Sequence, residues 1–234
     1  MEPLTLFFKD IKIENILDIG TGSGDFIHTL KETFTDAKIT AVDPDKDSLA
    51  TARTRFPDIG FSEMVAENLQ FNDNSFDLVS ISMALHHLNK IRKGLTEMKR
   101  VVKPGGWIII NELISDNLNP AQEVHKMYHH FKSRIDRMTG ICHRETFTKA
   151  AILQMLKTAA IPVQFFFEYN QKINLTESDE ELEQRVKKME EALERIKGRK
   201  EYDLMKPEID TFKEKARVHG FQPATKLVIA GRIK

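Results

Sequence analysis

Short apolar runs alternate with helical patterns through the first half of the chain. NILDI (15–19), KITAVD (38–43), FSEMVA (61–66) and FDLVSIS (76–82) read as strands, and a KPGG turn (103–106) leads into a fifth, WIIINEL (107–113). Between them, apolar residues recur at spacings of three and four: Phe26, Ile27, Leu30 and Phe34, then Leu49, Ala52 and Phe56, then Ile91, Leu95, Met98 and Val102. Strands alternating with helices predict a parallel sheet covered on both faces. The strands are continuously apolar rather than alternating, as strands buried on both faces should be.

After residue 113 the pattern changes. Asn119 and Pro120 are an N-cap and first-turn proline, and Val124, Met127, Phe131, Ile135 and Met138 follow on one helical face. A second helix is predicted over 145–159, and strands over 162–169 and 226–233, with Phe165, Phe166 and Phe167 as strand core. Between those strands lie roughly fifty residues that a hairpin does not need. Ser178 and Glu181 form a capping box, Leu182, Val186, Met189, Leu193 and Ile196 make an apolar stripe, and a further helix from Pro207 ends at Gly220. The stripe is too short for a coiled coil, so it is expected to pack within its own region; monomer and homodimer both remain open. The expected organisation is a single domain over 1–234, with a core at 13–112 and helical insertions at 114–143 and 170–220 that cap the substrate.

Composition narrows the function classes. The 234 residues carry 35 Lys and Arg against 35 Asp and Glu, a balance that argues against nucleic acid or a membrane surface as the main partner. One cysteine, Cys142, excludes an internal disulfide and a cysteine-built zinc site and fits a reducing, cytoplasmic setting. No apolar stretch is long enough to span a bilayer, and the opening MEPLTLFFKDIKIE lacks the pattern of a signal peptide.

The most specific stretch is ILDIGTGSGDF (16–26). A strand, a turn holding Gly20, Gly22 and Gly24, and a helix start form a nucleotide-binding element: glycines let the backbone approach the ligand, and the helix start presents free amides. A dinucleotide site prefers G-x-G-x-x-G. Here the third glycine comes one residue early and Asp25 takes the slot wanted for glycine, which disfavours a pyrophosphate and suits a zwitterionic sulfonium ligand. A plain strand-to-helix turn is the bland alternative. Asp43, 25 residues after Asp18 at the end of the second strand, can accept from both hydroxyls of a ribose.

Together with AVDPD, AENLQF, FDLVSISMALHHL and VVKPGGWIIINE, these residues resemble a class I S-adenosylmethionine-dependent methyltransferase, most like the branch of the ubiquinone and menaquinone C-methyltransferases. The resemblance covers about 13–112. It implies an α/β, seven-stranded Rossmann-like sheet with the last strand antiparallel, helices on both faces, and S-adenosylmethionine converted to S-adenosylhomocysteine. By resemblance, Asp18, Gly20 and Gly22 line the methionine and ribose part, Asp43 binds the ribose, and Pro44, Ala66 and Glu67 lie by the adenine. Ser82 and Met83 approach the methionine end. The family's adenine-binding acid is replaced by Val65. The short segment before the first strand offers little N-terminal lid.

Methyl transfer from a sulfonium needs alignment and exclusion of water, and a base only where the acceptor must lose a proton. The base candidates are His87, at the carboxyl edge of the sheet, and His129. His125 and His129 share a helix face, and with His143 (or Glu123) they could hold a divalent ion. The expected reaction is methyl transfer to a small-molecule acceptor. The competing readings are a non-catalytic cofactor-binding regulator or scaffold, an NAD-linked oxidoreductase and a nucleic-acid methyltransferase.

Overall fold

The structure is a computed structural model that describes residues 1–234 throughout. It separates into two compact units: the first comprises 1–112, 150–167 and 227–234, the second 113–149 and 168–226.

The first unit is built on a seven-stranded sheet of order β3-β2-β1-β4-β5-β7-β6. Strands β1 (Asn15–Ile19), β2 (Lys38–Asp43), β3 (Gly60–Glu63), β4 (Phe76–Ser82) and β5 (Val102–Leu113) pair in parallel. In register, Ile19 lies beside Val42 and Ile81, so the carboxyl ends of β1, β2 and β4 come level. Strand β7 (Lys226–Arg232) lies between β5 and β6 (Val163–Tyr169). At its end Gly105 and Gly106 exchange backbone bonds with Ile233, and Arg232 N donates to Pro162 O. It therefore runs antiparallel to both neighbours, as the resemblance implied for the last strand.

Three local features differ from the sequence reading. KPGG is an interruption inside β5 instead of a turn before it: Val102 pairs with Phe76 and Trp107 with Leu78, so the intervening residues bulge out. Gly105 takes φ +77°, and a Cβ at Gly106 would lie 2.8 Å from Asp77 O. Second, Phe166 is exposed at 45%, because β6 is an edge strand whose faces alternate; only Phe165 and Phe167 turn inward. Third, the N-terminal segment is a helix, α1 (Glu2–Phe8), fixed by aromatic packing. Phe7 stacks on Phe165 at 4.6 Å and Phe8 meets Trp107 edge-on at 5.1 Å. Helices α2 (Asp25–Thr33), α3 (Lys46–Arg55), α4 (Ile91–Val101) and α6 (Lys149–Thr158) complete this unit, apart from Lys149, which is counted with the second.

The second unit holds α5 (Pro120–Met138), α7 (Asp179–Glu194), α8 (Lys200–Met205) and α9 (Pro207–His219). Capping boxes start α5 at Asn119 and α7 at Ser178, each satisfying amides that a helix start leaves without partners. The stripe Leu182, Val186, Met189, Leu193 and Ile196 is buried, against Phe131, Ile135, Phe212 and Phe221. It is consumed inside the unit, as its length suggested.

Phe212 is fully buried, with ring centroids 5.6 Å from Tyr128 and 5.7 Å from Phe221. Phe212→Ala should cost about 3–5 kcal/mol by losing apolar burial and leaving a cavity. Urea unfolding followed by circular dichroism checks this; a cost under about 1 kcal/mol would show that the site collapses around the truncation.

Candidate functional site

The level carboxyl ends of β1, β2, β4 and β5 make a crevice edge of the kind where open α/β sheets bind ligands. The glycine turn forms its floor. Gly20 N and Thr21 N donate to Val42 O at 2.8 and 3.1 Å, tying the turn to β2. Gly20, Gly22 and Gly24 all have positive φ, at 65°, 54° and 86°. Two of them also fill space that no side chain could share: a Cβ on Gly20 would lie 2.5 Å from Ala84 Cβ, and one on Gly24 2.8 Å from the Phe56 ring. Gly22 differs, because nothing lies within 4 Å of its would-be Cβ. Its backbone is bare on that side and open to a ligand.

Asp43 locks the turn. Its Oδ2 accepts from Gly22 N and its Oδ1 from Asp45 N, both at 2.8 Å. Each carboxylate oxygen has a second lone pair, so the group can hold the turn and still accept from a ribose. Asp18 is buried at 1% exposure beneath the turn. Its Oδ1 accepts from Ser80 Oγ at 2.7 Å, while its Oδ2 has no hydrogen-bond partner. Burial pushes this carboxyl up to about 6, with the Ser80 hydroxyl pulling the other way. Asn111 Nδ2 donates to Ser82 Oγ at 2.9 Å, Asn111 Oδ1 has no partner, and Met83 holds a strained φ of 54° with its N–H on Asn111 O.

The adenine-side residues are less committed. Ala66 is buried, Pro44 is exposed, and Val65, where an acid was expected, is 43% exposed. Glu67 Oε1 accepts from Lys90 N at 2.9 Å, fixing the carboxylate to the start of α4.

The histidines divide in a way the sequence did not indicate. His86, in the 3-10 turn after β4, is buried, and its Nδ1 lies 2.9 Å from both oxygens of Glu112 at the end of β5. The side chains are 6% and 1% exposed. His87, the sequence candidate, is exposed and has its ring centroid 4.3 Å from that of His86. The carboxylate fixes the ring through Nδ1.

In the second unit, His125 and His129 do not act together despite their spacing. His125 lies against Phe221 at 5.2 Å, with Nδ1 3.4 Å from Ala224 N, and burial lowers it to about 4, helped by Lys226 and Arg185. His129 lies beside His143 instead, Nε2 to Nε2 at 3.1 Å. His125 therefore lies against Phe221 and not with His129 and His143.

The arrangement around the glycine turn fits an adenosyl-sulfonium ligand. Asp18 Oδ2 and Asn111 Oδ1 are buried acceptors without partners, suited to an ammonium group; Gly22 is open; and Asp43 retains accepting capacity for hydroxyls. Asp25 forms an ion pair with Arg55 at 2.6 Å rather than leaving its position to a pyrophosphate.

Comparison with known proteins agrees. Residues 17–110 match the family model described as "Methyltransferase domain". The demethylmenaquinone methyltransferase of Chlorobaculum tepidum is 33% identical over 132 residues, 56% of this chain and 53% of that protein. That of Renibacterium salmoninarum is 37% identical over 117 residues, 49% and 48% of the two chains. The chain thus spans about half the length of these curated relatives. The crystal structure of the YcgJ protein from Bacillus subtilis superimposes with a TM-score of 0.65 at 17% identity, covering 100% of this chain and 98% of that one, which shows a shared fold. No helix is long and apolar enough to cross a membrane.

The burial of Asp18 has a consequence for stability. Its folded pKa of about 6 exceeds the ordinary carboxylate value of 3.8, so the folded state binds the proton more tightly than the unfolded chain. Stability from this group is present below about 4 and lost as pH rises through about 6. Asp18→Asn removes the charge that neutral pH forces into the interior. The variant should be more stable than the parent by roughly 1–3 kcal/mol at pH 7.5, with the advantage shrinking as pH falls through 6. Urea unfolding at several pH values measures this; a pH-independent difference would show that Asp18 titrates normally.

Proposed function

We propose that the chain transfers a methyl group from S-adenosylmethionine to a hydroxylated small-molecule acceptor, a reading supported by the match of residues 17–110 to a methyltransferase domain and by similarity to curated methyltransferases. The observation that carries the proposal is the constellation of bare Gly22, the Asp43 carboxylate and the orphan oxygen of Asp18 on one crevice edge. In this reading Asp18 and Asn111 hold the amino-acid end, Asp43 the ribose, and Ala66 and Glu67 flank the adenine with Pro44. The glycine turn keeps the backbone close, and Ser82 and Met83 flank the methionine end. When bound, the cofactor supplies a sulfonium methyl whose bond electrons leave with sulfur, giving S-adenosylhomocysteine.

The acceptor side is inferred from His86 and Glu112. With Nδ1 held by Glu112, His86 Nε2 can take a proton from a hydroxyl, and the buried carboxylate steadies the imidazolium that forms. A phenol or quinol gains nucleophilicity on losing that proton, at oxygen or at a ring carbon beside it. This chemistry agrees with relatives named demethylmenaquinone methyltransferases. The sequence offered His87 and His129 as bases; the Glu112 contact favours His86, the neighbour of His87.

Calorimetric titration of cofactor-stripped protein should give micromolar binding of S-adenosylmethionine and S-adenosylhomocysteine and none of NADH. Asp43→Ala should weaken both by about 1–3 kcal/mol, five- to hundredfold. No binding of either sulfur ligand to folded protein would overturn the reading, and binding without turnover on any quinol or phenol would favour a regulator. For the base, His86→Ala should lower kcat by about 10²–10⁴-fold while cofactor affinity stays unchanged. Glu112→Gln should lower kcat less and move the pH–rate profile, and His87→Ala should change little. Equal loss in His87→Ala, or an unchanged rate in His86→Ala, would remove His86 from the role.

A further inference from the structure

The second unit contains ionisable groups that the proposed transfer does not use. At the end of α5 the chain reverses: Thr139 N bonds to Ile135 O, Gly140 takes φ +86°, and Ile141 N bonds back to Asp136 O. The reversal lays His143 against the helix it has just left. His143 Nδ1 is 2.7 Å from Asp136 Oδ2, and the other oxygen of Asp136 accepts from Arg195 Nη1 at 2.6 Å. Arg137 Nη1 donates to the His143 carbonyl at 3.0 Å. Asp136 holds the ring through Nδ1, and Arg137 and Arg195 fix the backbone carbonyl and the carboxylate in turn.

His143 Nε2 lies 3.1 Å from Nε2 of His129, with the two rings at 85° and their centroids 4.8 Å apart. Two nitrogens on one zinc-type ion, at bonds of about 2.0–2.1 Å, stand roughly 3.3 Å apart at a tetrahedral angle and roughly 2.9 Å apart at a right angle. The observed spacing falls between these. A carboxylate on the far nitrogen is the usual outer partner of a metal-bound histidine, because it orients the ring and raises its basicity. Imidazole ligands select zinc, nickel, copper or iron over magnesium and calcium. His143 is buried and His129 half-buried, so such an ion would be partly shielded from water.

We propose that His129 and His143 form a binding site for a divalent first-row transition metal ion, zinc by preference, with Asp136 as the positioning residue and water completing the coordination. His130 is outside the site, since its Nε2 is 2.9 Å from Thr146 Oγ1; so is His125, on Phe221. The ion would clamp the 139–143 reversal to α5.

The test is calorimetric titration of the full chain, stripped with EDTA, with zinc chloride. One ion per chain should bind at micromolar affinity and raise the thermal midpoint. His143→Ala and His129→Ala should each weaken binding at least tenfold, and Asp136→Asn about tenfold or more through loss of ring orientation. His125→Ala should leave binding unchanged. Circular dichroism checks folding, and His129→Gln, at the less buried position, decides the matter if His143→Ala fails to fold. Cobalt absorption supplies a second readout, as visible d–d bands that vanish in the His129 variant. Absence of stoichiometric binding, or binding that survives loss of either histidine, would overturn the proposal and leave an ordinary N–H···N hydrogen bond.

Discussion

The Asp43 carboxylate is the contact on which the crevice depends. It takes the Gly22 amide on one oxygen and the Asp45 amide on the other, so one side chain joins the turn after β1 to the turn after β2. The parallel register of Ile19 with Val42 makes this reach possible; a slip of one residue would turn the carboxylate to the other face of the sheet. The same register lets Val42 O collect the Gly20 and Thr21 amides. Backbone that would otherwise be a flexible three-glycine turn is thereby held open without a ligand, and less ordering is left for binding to supply.

Beside this ordered turn, the first unit keeps a group in an unfavourable setting. Asp18 is buried with one oxygen unpartnered and a proton held well above its usual range. Strand β1 could have been more stable with an uncharged residue there. A buried acceptor left without a donor is the kind of strain that functional sites keep. The Glu112–His86 pair differs, because its hydrogen bonds satisfy it internally. It comes from the ends of two adjacent strands, so the sheet holds its geometry. One carboxylate thus waits for a partner from outside, and the other already has one and orients it.

Much of this was legible in the sequence, and the misses have physical causes. The parallel strands showed as continuous apolar runs because burial on both faces leaves few polar positions. The glycine turn and Asp43 were readable because glycine adopts positive φ without strain and, at Gly20 and Gly24, leaves room for Ala84 and Phe56. Helix α1 was not, since its stability comes from Phe7 and Phe8 on Phe165 and Trp107, partners far away in sequence. The reversal of the last strand came from the family resemblance, since local pattern does not encode sheet order. His86 and His87 are adjacent and chemically identical; which one meets a carboxylate 26 residues later depends on the 3-10 turn after β4. For His125 and His129, helical spacing indicated a shared face, but the partners on that face differ: Phe221 for one, His143 for the other.

Fold and chemistry carry different weight here. The sheet, the glycine turn and Asp43 shape a crevice for a ligand, and they say little about what is done with it. Acceptor chemistry must come from groups beyond the cofactor turn, and the proposed reading assigns it to His86 and Glu112. Glu112 is also the last residue of that unit before the chain enters the second. The matched family segment ends at residue 110, just before the dyad's carboxylate and before the whole of the second unit. The stretch that matches the family model and the residues proposed for the acceptor side are thus largely separate. The match over 17–110 can therefore be plain while the acceptor has to be argued from other side chains.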